Sequence, residues 1–161
     1  MIGTSTRRRG AVALALFTTF ALGLGIVEAP LAAAGQGYRA DLFRMLNRAR
    51  ERNDLPPLTL DLSLSREAKK HTRHMIRRDR VYHPPDLQRI LAPYPWNDLG
   101  AAAVGCAATL KGLHRTWMHS DHHREILLHP KLRSVGIGVM RNDEKNSCGR
   151  RSFWGTELFY G

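Results

Sequence analysis

The chain has 161 residues, which is enough for one domain of ordinary size together with a targeting segment and excludes a chain of several domains. Its formal net charge of +11 at neutral pH favours contact with anionic polymers or anionic lipid surfaces. The basic residues are nevertheless scattered along the sequence and are not interleaved with aromatic residues. A specific nucleic-acid function is therefore not expected.

Residues 1–34 have the three-part pattern of a secretory signal peptide. A basic start, Arg7–Arg9, precedes the apolar run Ala11–Val27, and the small residues Ala32–Ala34 then provide a cleavage signal. We therefore predict a secreted protein whose mature domain is 35–161. The alternative is an uncleaved N-terminal anchor, although the apolar run is slightly shorter than the roughly 20 residues needed to span a bilayer.

The sequence contains two cysteines, Cys106 and Cys148. In a protein exported to an oxidising compartment, an even number of cysteines indicates disulfide bonding. We therefore predict that these two residues are bridged in the mature protein.

Helices are predicted for the first part of the mature chain. The spacing of apolar residues predicts a helix over Arg39–Arg52. A second helix is predicted to begin near Ser63 or Ser65, either of which could cap it. It ends at Tyr82, because the prolines that follow lack an amide donor and restrain the residue before them.

The middle of the chain is expected to be turn-rich. Residues 84–105 carry only a short helical possibility, at Leu87–Leu91. A third amphipathic helix is predicted over Ala108–His119, and the polar, histidine-rich segment Ser120–His129 follows it.

The end of the chain changes to a period of two residues. Val135–Val139 alternates apolar and small residues, which is typical of a strand with one buried face. A polar loop, Asn142–Arg151, leads to a last strand over Phe153–Phe159. Helices packed on a small antiparallel sheet make an α+β sandwich.

Several histidines and tryptophans are interpreted as structural. His71 lies on an apolar helix face and is expected to be a core residue bonded to the backbone. His74, His114 and His119 are expected at the surface. Trp117 and Trp154 are predicted to be aromatic residues of the core.

A set of local patterns occurs in a fixed order along the mature chain: Leu46-Asn47-x-Ala49-Arg50, Leu55–Leu58, Tyr82-His83, the run Trp117–Leu127, Val135–Val139 and Trp154–Phe159. Together they resemble the CAP superfamily (cysteine-rich secretory proteins, antigen 5 and plant PR-1 proteins), in its bacterial secreted, SCP-like form. The resemblance implies a three-layer α-β-α sandwich with a small antiparallel sheet.

The resemblance also implies a central cleft that gathers two histidines and one or two glutamates, and that holds a divalent metal in some members. His83 and His123 match the two cleft histidines. Neutral imidazoles and carboxylates are the usual ligands of zinc-like ions. A metal such as zinc is therefore the one cofactor that the family pattern suggests, with His83 and His123 as its ligands.

The glutamates of that pattern are missing. Where the family usually has Gly-Glu-Asn-Val-Gly, this chain has Leu99–Gly105, with alanines at the Glu-Asn pair; a shifted alignment puts Asn97 at the glutamate instead. A second glutamate, a turn past Trp117 in eukaryotic members, is absent as well. Since neither alanine nor asparagine can replace a carboxylate base, the site is interpreted as degenerate.

The residues before His123 leave two interpretations open: a partial replacement of the missing carboxylate in the cleft, or a solvent-facing substitution at His122. His122 stands where a glycine usually precedes the cleft histidine, and Asp121 and Ser120 are close to it in sequence. Adjacent residues on a regular helix or strand point in different directions, so His122 and His123 enter one cleft only if the backbone is irregular.

We therefore expect a non-enzymatic extracellular binding protein, with no catalytic residue assigned. Its ligand classes are lipids or sterols and anionic cell-envelope polymers, and a monomer is expected. The first alternative is a metal-dependent extracellular hydrolase that uses His83 and His123, with Glu157 and Asp121 as its only candidate carboxylates. The second alternative is a basic protein that binds the envelope or nucleic acid.

Overall fold

The computed structural model describes residues 31–97 and 99–161, with side chains described from residue 37 onward. The predicted signal peptide therefore lies outside the described residues except for its last four positions. The described chain folds into five helices and four strands. The helices are α1 (Leu31–Glu51), α2 (Leu62–Arg77), α3 (Leu87–Leu91), α4 (Leu110–His119) and α5 (Asp121–Leu127). The strands are β1 (Thr59–Leu60), β2 (Gly100–Ala107), β3 (Ser134–Asn146) and β4 (Gly149–Tyr160).

The four strands form one sheet in the order β1-β3-β4-β2. β4 pairs antiparallel with both β2 and β3, while the two-residue β1 pairs parallel with β3. Helices α1, α4 and α5 pack on one face of the sheet, and α2 and α3 pack on the other. The predicted α+β three-layer sandwich is confirmed, with the difference that one short pair in its sheet is parallel.

Helix α2 forms because its apolar residues recur on one face while its arginines and lysines face solvent. Leu64, Ala68 and Met75 are fully buried against the sheet. The cap is Asp61, not Ser63 or Ser65 as predicted: the Asp61 carboxylate accepts hydrogen bonds from two backbone N–H groups of the first turn. Ser65 is instead buried, and its hydroxyl accepts from the N–H of Ile137. The helix also ends at Arg77, earlier than predicted.

Two glycines of β3 allow α2 to lie directly against the sheet. A Cβ atom at Gly138 would collide with the backbone of Ala68 and Lys69, and one at Gly136 would collide with Leu64. The small residues that alternate along this strand are therefore required by the approach of the helix.

The turn-rich prediction for 84–105 is wrong at its end, where the chain forms the eight-residue edge strand β2. Alanine and glycine have low strand propensity, so the local sequence gives little indication of a strand. The strand is stabilised by its pairing along the whole of β4 and by close packing of α4, whose Trp117 indole donates to the carbonyl of Val104 at 3.0 Å.

The predicted polar loop Asn142–Arg151 is mostly strand. β3 and β4 continue through it as a hairpin with a register shift between Asn142 and Lys145, and the turn uses Gly149 at a φ of 96°. These residues are exposed, so their polar side chains are compatible with strand pairing that extends beyond the core.

The remaining boundaries differ by shorter lengths. α1 begins before the predicted Arg39, α4 begins at Leu110 after the cap residue Thr109, and the segment after Ser120 contains the seven-residue helix α5. The core predictions for Trp117, Trp154 and His71 are confirmed: both tryptophans are buried, and His71 Nε2 lies 2.8 Å from the carbonyl oxygen of Tyr82.

The predicted disulfide is present. Cys106 at the end of β2 is bonded to Cys148 in the hairpin turn, with 42 residues of sequence separation and 6.0 Å between the Cα atoms. The bond ties the edge strand to the exposed end of the hairpin.

Replacing both cysteines by serine is expected to lower the free energy of unfolding by about 2–4 kcal/mol, because the denatured chain regains the freedom that the closed loop removes. Urea denaturation of the oxidised wild type, the reduced wild type and the double variant checks this. The last two should agree, and equal stability of all three would contradict the prediction.

Candidate functional site

A cleft lies at the edge of the sheet, where β2 begins, the segment after α2 passes and α5 covers one end. Its cavity has a volume of about 360 Å³ and is lined by His83, Pro84, Leu87, Gly100, Ala101, Ala102, His122 and Ile126. A second cavity of about 210 Å³ adjoins it and shares Ala101, His122 and Ile126. We call the two together the cleft. Its walls are mainly apolar, and its polar lining consists of imidazoles and, in the smaller cavity, the carboxylate of Glu125.

The structure brings three of the predicted site histidines together. The rings of His83 and His123 are nearly parallel, with centroids 6.4 Å apart. The rings of His122 and His123 are inclined at 62°, with centroids 5.6 Å apart. His122 lines the cleft directly, while His123 is half-buried beside the other two. This arrangement is built on the first turn of α5 and needs no irregular backbone.

His123 is held from one side. Its Nδ1 lies 3.0 Å from the hydroxyl oxygen of Ser120, whereas its Nε2 is buried and has no hydrogen-bond partner among the described residues. Burial lowers the pKa of His123, and the positive charges that His122 and His83 can carry lower it further. His123 is therefore neutral at physiological pH.

Ala101 occupies the place in the cleft where the family pattern has a carboxylate. It pairs with Phe159 of β4, and its methyl group lines both parts of the cleft. Asn97, the residue suggested by the shifted alignment, precedes β2, and its backbone N–H donates to the carbonyl of Gly161. Asn97 does not line the cleft, whereas Ala101 and Ala102 both do, so the alignment that places alanines at the Glu-Asn pair is the one consistent with the cleft lining.

The donor set of the cleft does not fit a metal centre. A zinc site normally uses at least three protein ligands, and the parts of the chain that the structure describes contain no group of three or more His, Cys, Asp or Glu residues able to hold an ion. Asp121 is exposed and lines a neighbouring cavity, which shares Glu125 and His129 with the smaller part of the cleft. The larger cavity, where His83 and His122 meet, is lined by no carboxylate, and Glu125 lines only the smaller one.

Glu157, the other candidate carboxylate, lies inside the core. It is on the central strand β4, flanked by Ala103 of β2 and Ile137 of β3, and it is fully buried. Neither carboxyl oxygen has a hydrogen-bond partner among the described residues. Burial raises the pKa of Glu157 to about 8, so the group carries a proton at neutral pH. It does not line the cleft.

Arg50 holds the helix that carries His122 and His123, a role that was not predicted from the sequence. Its guanidinium is fully buried and donates to the carbonyl oxygens of Pro56 at 2.9 Å, Leu127 at 2.9 Å and His129 at 3.2 Å. The last two carbonyls lie at the C-terminal end of α5, where a cation also interacts favourably with the helix dipole. Arg50 thus joins α1 to the helix that carries the cleft histidines. The only signal in the sequence was its place in the first-helix motif.

The chain matches the model of the cysteine-rich secretory protein (CAP) family over residues 43–158. Among solved structures, it is similar to an outer surface protein of Borrelia burgdorferi, with a TM-score of 0.61 and 20% identity over 78% of this chain and 92% of that one. It is also similar to an extracellular protein of Bacillus anthracis that contains an SCP domain, with a TM-score of 0.59 and 22% identity over 81% of this chain.

A third similar structure is a cysteine-rich secretory protein of Staphylococcus aureus, with a TM-score of 0.58 and 21% identity over 78% of this chain. This chain spans only 42% of the Bacillus protein and 38% of the Staphylococcus protein. These likenesses bear out the CAP-type sandwich. None of the curated proteins compared with the chain matches it. Within the described residues, no helix is long and apolar enough to cross a membrane.

Replacing Arg50 by leucine is expected to destabilise the protein by at least about 3 kcal/mol, because buried carbonyls would lose their donor. Arg48→Leu is the matched control, since Arg48 is exposed on the same helix and its loss should change stability by no more than about 0.5 kcal/mol. Urea denaturation measures both. Equal effects of the two substitutions would contradict the role assigned to Arg50.

Replacing Glu157 by glutamine is expected to stabilise the protein increasingly as pH rises. The folded-state pKa of about 8 lies above the ordinary 4.5, so the folded state binds more protons in that window and stability falls there with rising pH. The slope is at most about 1.4 kcal/mol per pH unit. Urea denaturation from about pH 5 to about pH 8 measures the difference between variant and wild type. Glu144→Gln, at an exposed site, is the control. A difference that does not change with pH would refute the burial effect.

Proposed function

We propose that this chain, which belongs to the cysteine-rich secretory protein (CAP) family, is an extracellular binding protein and not an enzyme. The observation that carries the proposal is Ala101, whose methyl group lines the cleft where the family pattern has a glutamate. Metal-dependent hydrolysis at such a cleft normally uses a carboxylate, either as general base or as a metal ligand. No carboxylate lines the larger cavity, which contains His83 and His122, and Glu125 lines only the smaller one.

The location of the protein outside the cytoplasm is supported by three separate observations. Residues 1–34 have the pattern of a signal peptide. The similar structures include an extracellular protein and an outer surface protein. The disulfide between Cys106 and Cys148 is of the kind that persists in oxidising compartments.

The cleft favours a ligand with an apolar body. Pro84, Leu87 and Ile126 line the larger cavity together with alanines, and its volume of about 360 Å³ is within the ordinary range for small-molecule sites. A lipid or a sterol has this chemistry, and His83 or His122 would donate to its polar end. The net charge of +11 supports a second class of partner, the anionic polymers of the cell envelope.

The competing hydrolase hypothesis is weakened by the placement of the two candidate carboxylates. Asp121 is exposed and lines a neighbouring cavity, and Glu157 is enclosed in the core. Either group would have to move out of its present surroundings to act on a substrate held by His83.

The proposal predicts that adding a single carboxylate would convert this cleft into a metal-binding site. Ala101→Glu is expected to bind one equivalent of zinc, because the added carboxylate would face His83 and His122 across the cavity. The wild type should bind less than a tenth as tightly. Isothermal titration with zinc measures both, and adding His83→Ala to the first variant should abolish the binding.

Two controls accompany this experiment. Ala101→Gln adds the same bulk without a charge, and Ala108→Glu adds the same charge at an exposed site outside the cleft; neither should bind zinc. If the purified wild type contains one equivalent of metal that His83→Ala with His123→Ala removes, the hydrolase hypothesis replaces ours.

A further inference from the structure

A cavity larger than the cleft lies between α1 and α4, on a part of the surface that shares no lining residue with the cleft. Its volume is about 620 Å³. Its apolar lining includes Met45 and Ala49 of α1 and Met118 of α4. Arginines, a lysine, Asn53 and two histidines line the rest, and we call this feature the basic groove.

The charged residues in the lining of the basic groove are all cationic. Five of its eleven residues are arginine or lysine, and none is aspartate or glutamate. Arg48 and Arg52 are one turn apart on α1, Lys111 and Arg115 are one turn apart on α4, and Arg124 comes from α5. All five side chains are exposed. The groove therefore has a row of positive charges from each of two neighbouring helices.

These charges have no carboxylate partner among the described residues. The ion pairs of that part of the chain use Arg44, Arg89 and Arg141, none of which lines the groove. Arg124 donates only to the neutral side-chain oxygen of Asn53, at 3.3 Å. Like charges one turn apart destabilise a helix, so both rows reduce the stability of the free protein.

His114, which was expected at the surface, is half-buried in the lining of the groove, where its pKa responds to the positive charge. Its Nδ1 atom is buried without a hydrogen-bond partner in the described chain. Its pKa is lowered first by burial and then by the charge of Arg52. The imidazole is thus neutral, and it offers a polar contact at the base of the groove without adding to the repulsion.

We propose that the basic groove binds a linear anionic polymer whose phosphate or carboxylate groups lie between the two rows of cations. Arginine suits both groups, because its planar guanidinium can bind two oxygens at once. The methionines and Ala49 would contact the uncharged backbone of the polymer. This inference rests on the proposed binding function, to which it adds a site for the anionic polymers and the groups that the site recognises.

The composition of the groove favours an anionic polymer without bases over single-stranded nucleic acid or a membrane surface. No Phe, Tyr or Trp lines it, so it lacks the stacking surfaces with which proteins hold single-stranded nucleic acid. Leu62 and Val81 are the large apolar residues exposed in the described chain, and neither is in the groove. A membrane surface would therefore meet no apolar side chain there that could insert.

The test compares two variants of the full-length protein that lose the same charge. The groove variant is Arg48→Gln, Arg52→Gln, Lys111→Gln and Arg115→Gln. The control variant changes four exposed residues of α2, on the opposite face of the sheet: Arg66→Gln, Lys70→Gln, Arg73→Gln and Arg77→Gln. Each loses three arginines and one lysine. Thermal unfolding verifies that both variants are folded, and the single substitutions Arg52→Gln and Arg115→Gln replace the groove variant if it is not.

Binding is measured by fluorescence anisotropy with two labelled polymers, inorganic polyphosphate and polygalacturonate, at about 50 mM and about 150 mM sodium chloride. The wild type is expected to bind at least one of them, and the polymer that binds identifies the anionic group. The groove variant should lose at least about tenfold in affinity at the lower salt concentration, and the control variant less than about threefold. His83→Ala should bind like the wild type, so failure here is separable from failure at the cleft.

Four results would overturn the inference. Equal losses in the two variants would mean that net charge alone binds the polymer, and absence of wild-type binding at the lower salt concentration would remove the site. If a single-stranded oligonucleotide bound to the groove more tightly than either polymer, the groove would be a nucleic-acid site. If phosphatidylglycerol vesicles bound to it more tightly than either polymer, it would be a membrane-binding site.

Discussion

The cleft depends on one buried cation. Arg50 is buried, no carboxylate of the described residues is bonded to it, and three backbone carbonyls accept its hydrogen bonds instead. Charge-assisted hydrogen bonds of this kind offset much of the desolvation cost of an ion. Two of these carbonyls belong to Leu127, the last residue of α5, and to His129 just after it. The same contact therefore fixes the position of α5 relative to β2. The position of His122 and His123 on α5 therefore depends on a residue of a different helix, α1.

The positions of the carboxylates determine which chemical groups are available in the cleft and in the core beside it. No carboxylate lines the larger cavity, where Ala101 lies, and the described residues contain no group of three metal ligands around its histidines. Glu157 sits in the core, where burial keeps it protonated and uncharged. Two surfaces of different character result: a mainly apolar cleft with imidazoles, and a groove between α1 and α4 whose cations have no carboxylate partner among the described residues. Both are suited to binding.

Local pattern was informative wherever one face of an element is buried and the other is not. Helix α2 and the apolar half of β3 could be predicted for this reason, since burial imposes a period of 3.6 or 2 on the sequence. β2 could not, because a strand of alanine and glycine carries neither signal and is specified by its partner β4 and by α4. The outer hairpin was missed for a related reason: its strands pair beyond the core, where polar side chains give no period.

The sequence by itself determined the family, the layered fold, the disulfide and the loss of the cleft glutamate, because each depends on the identity and order of residues along the chain. It also indicated that His83 and His123 belong to one site. Only the tertiary structure decided that His122 joins them, that Glu157 is a buried acid and that Arg50 holds α5. It alone placed the cations of α1 and α4 along one groove. Such facts depend on distances between residues far apart in sequence, and these distances are set by how helices pack on the sheet.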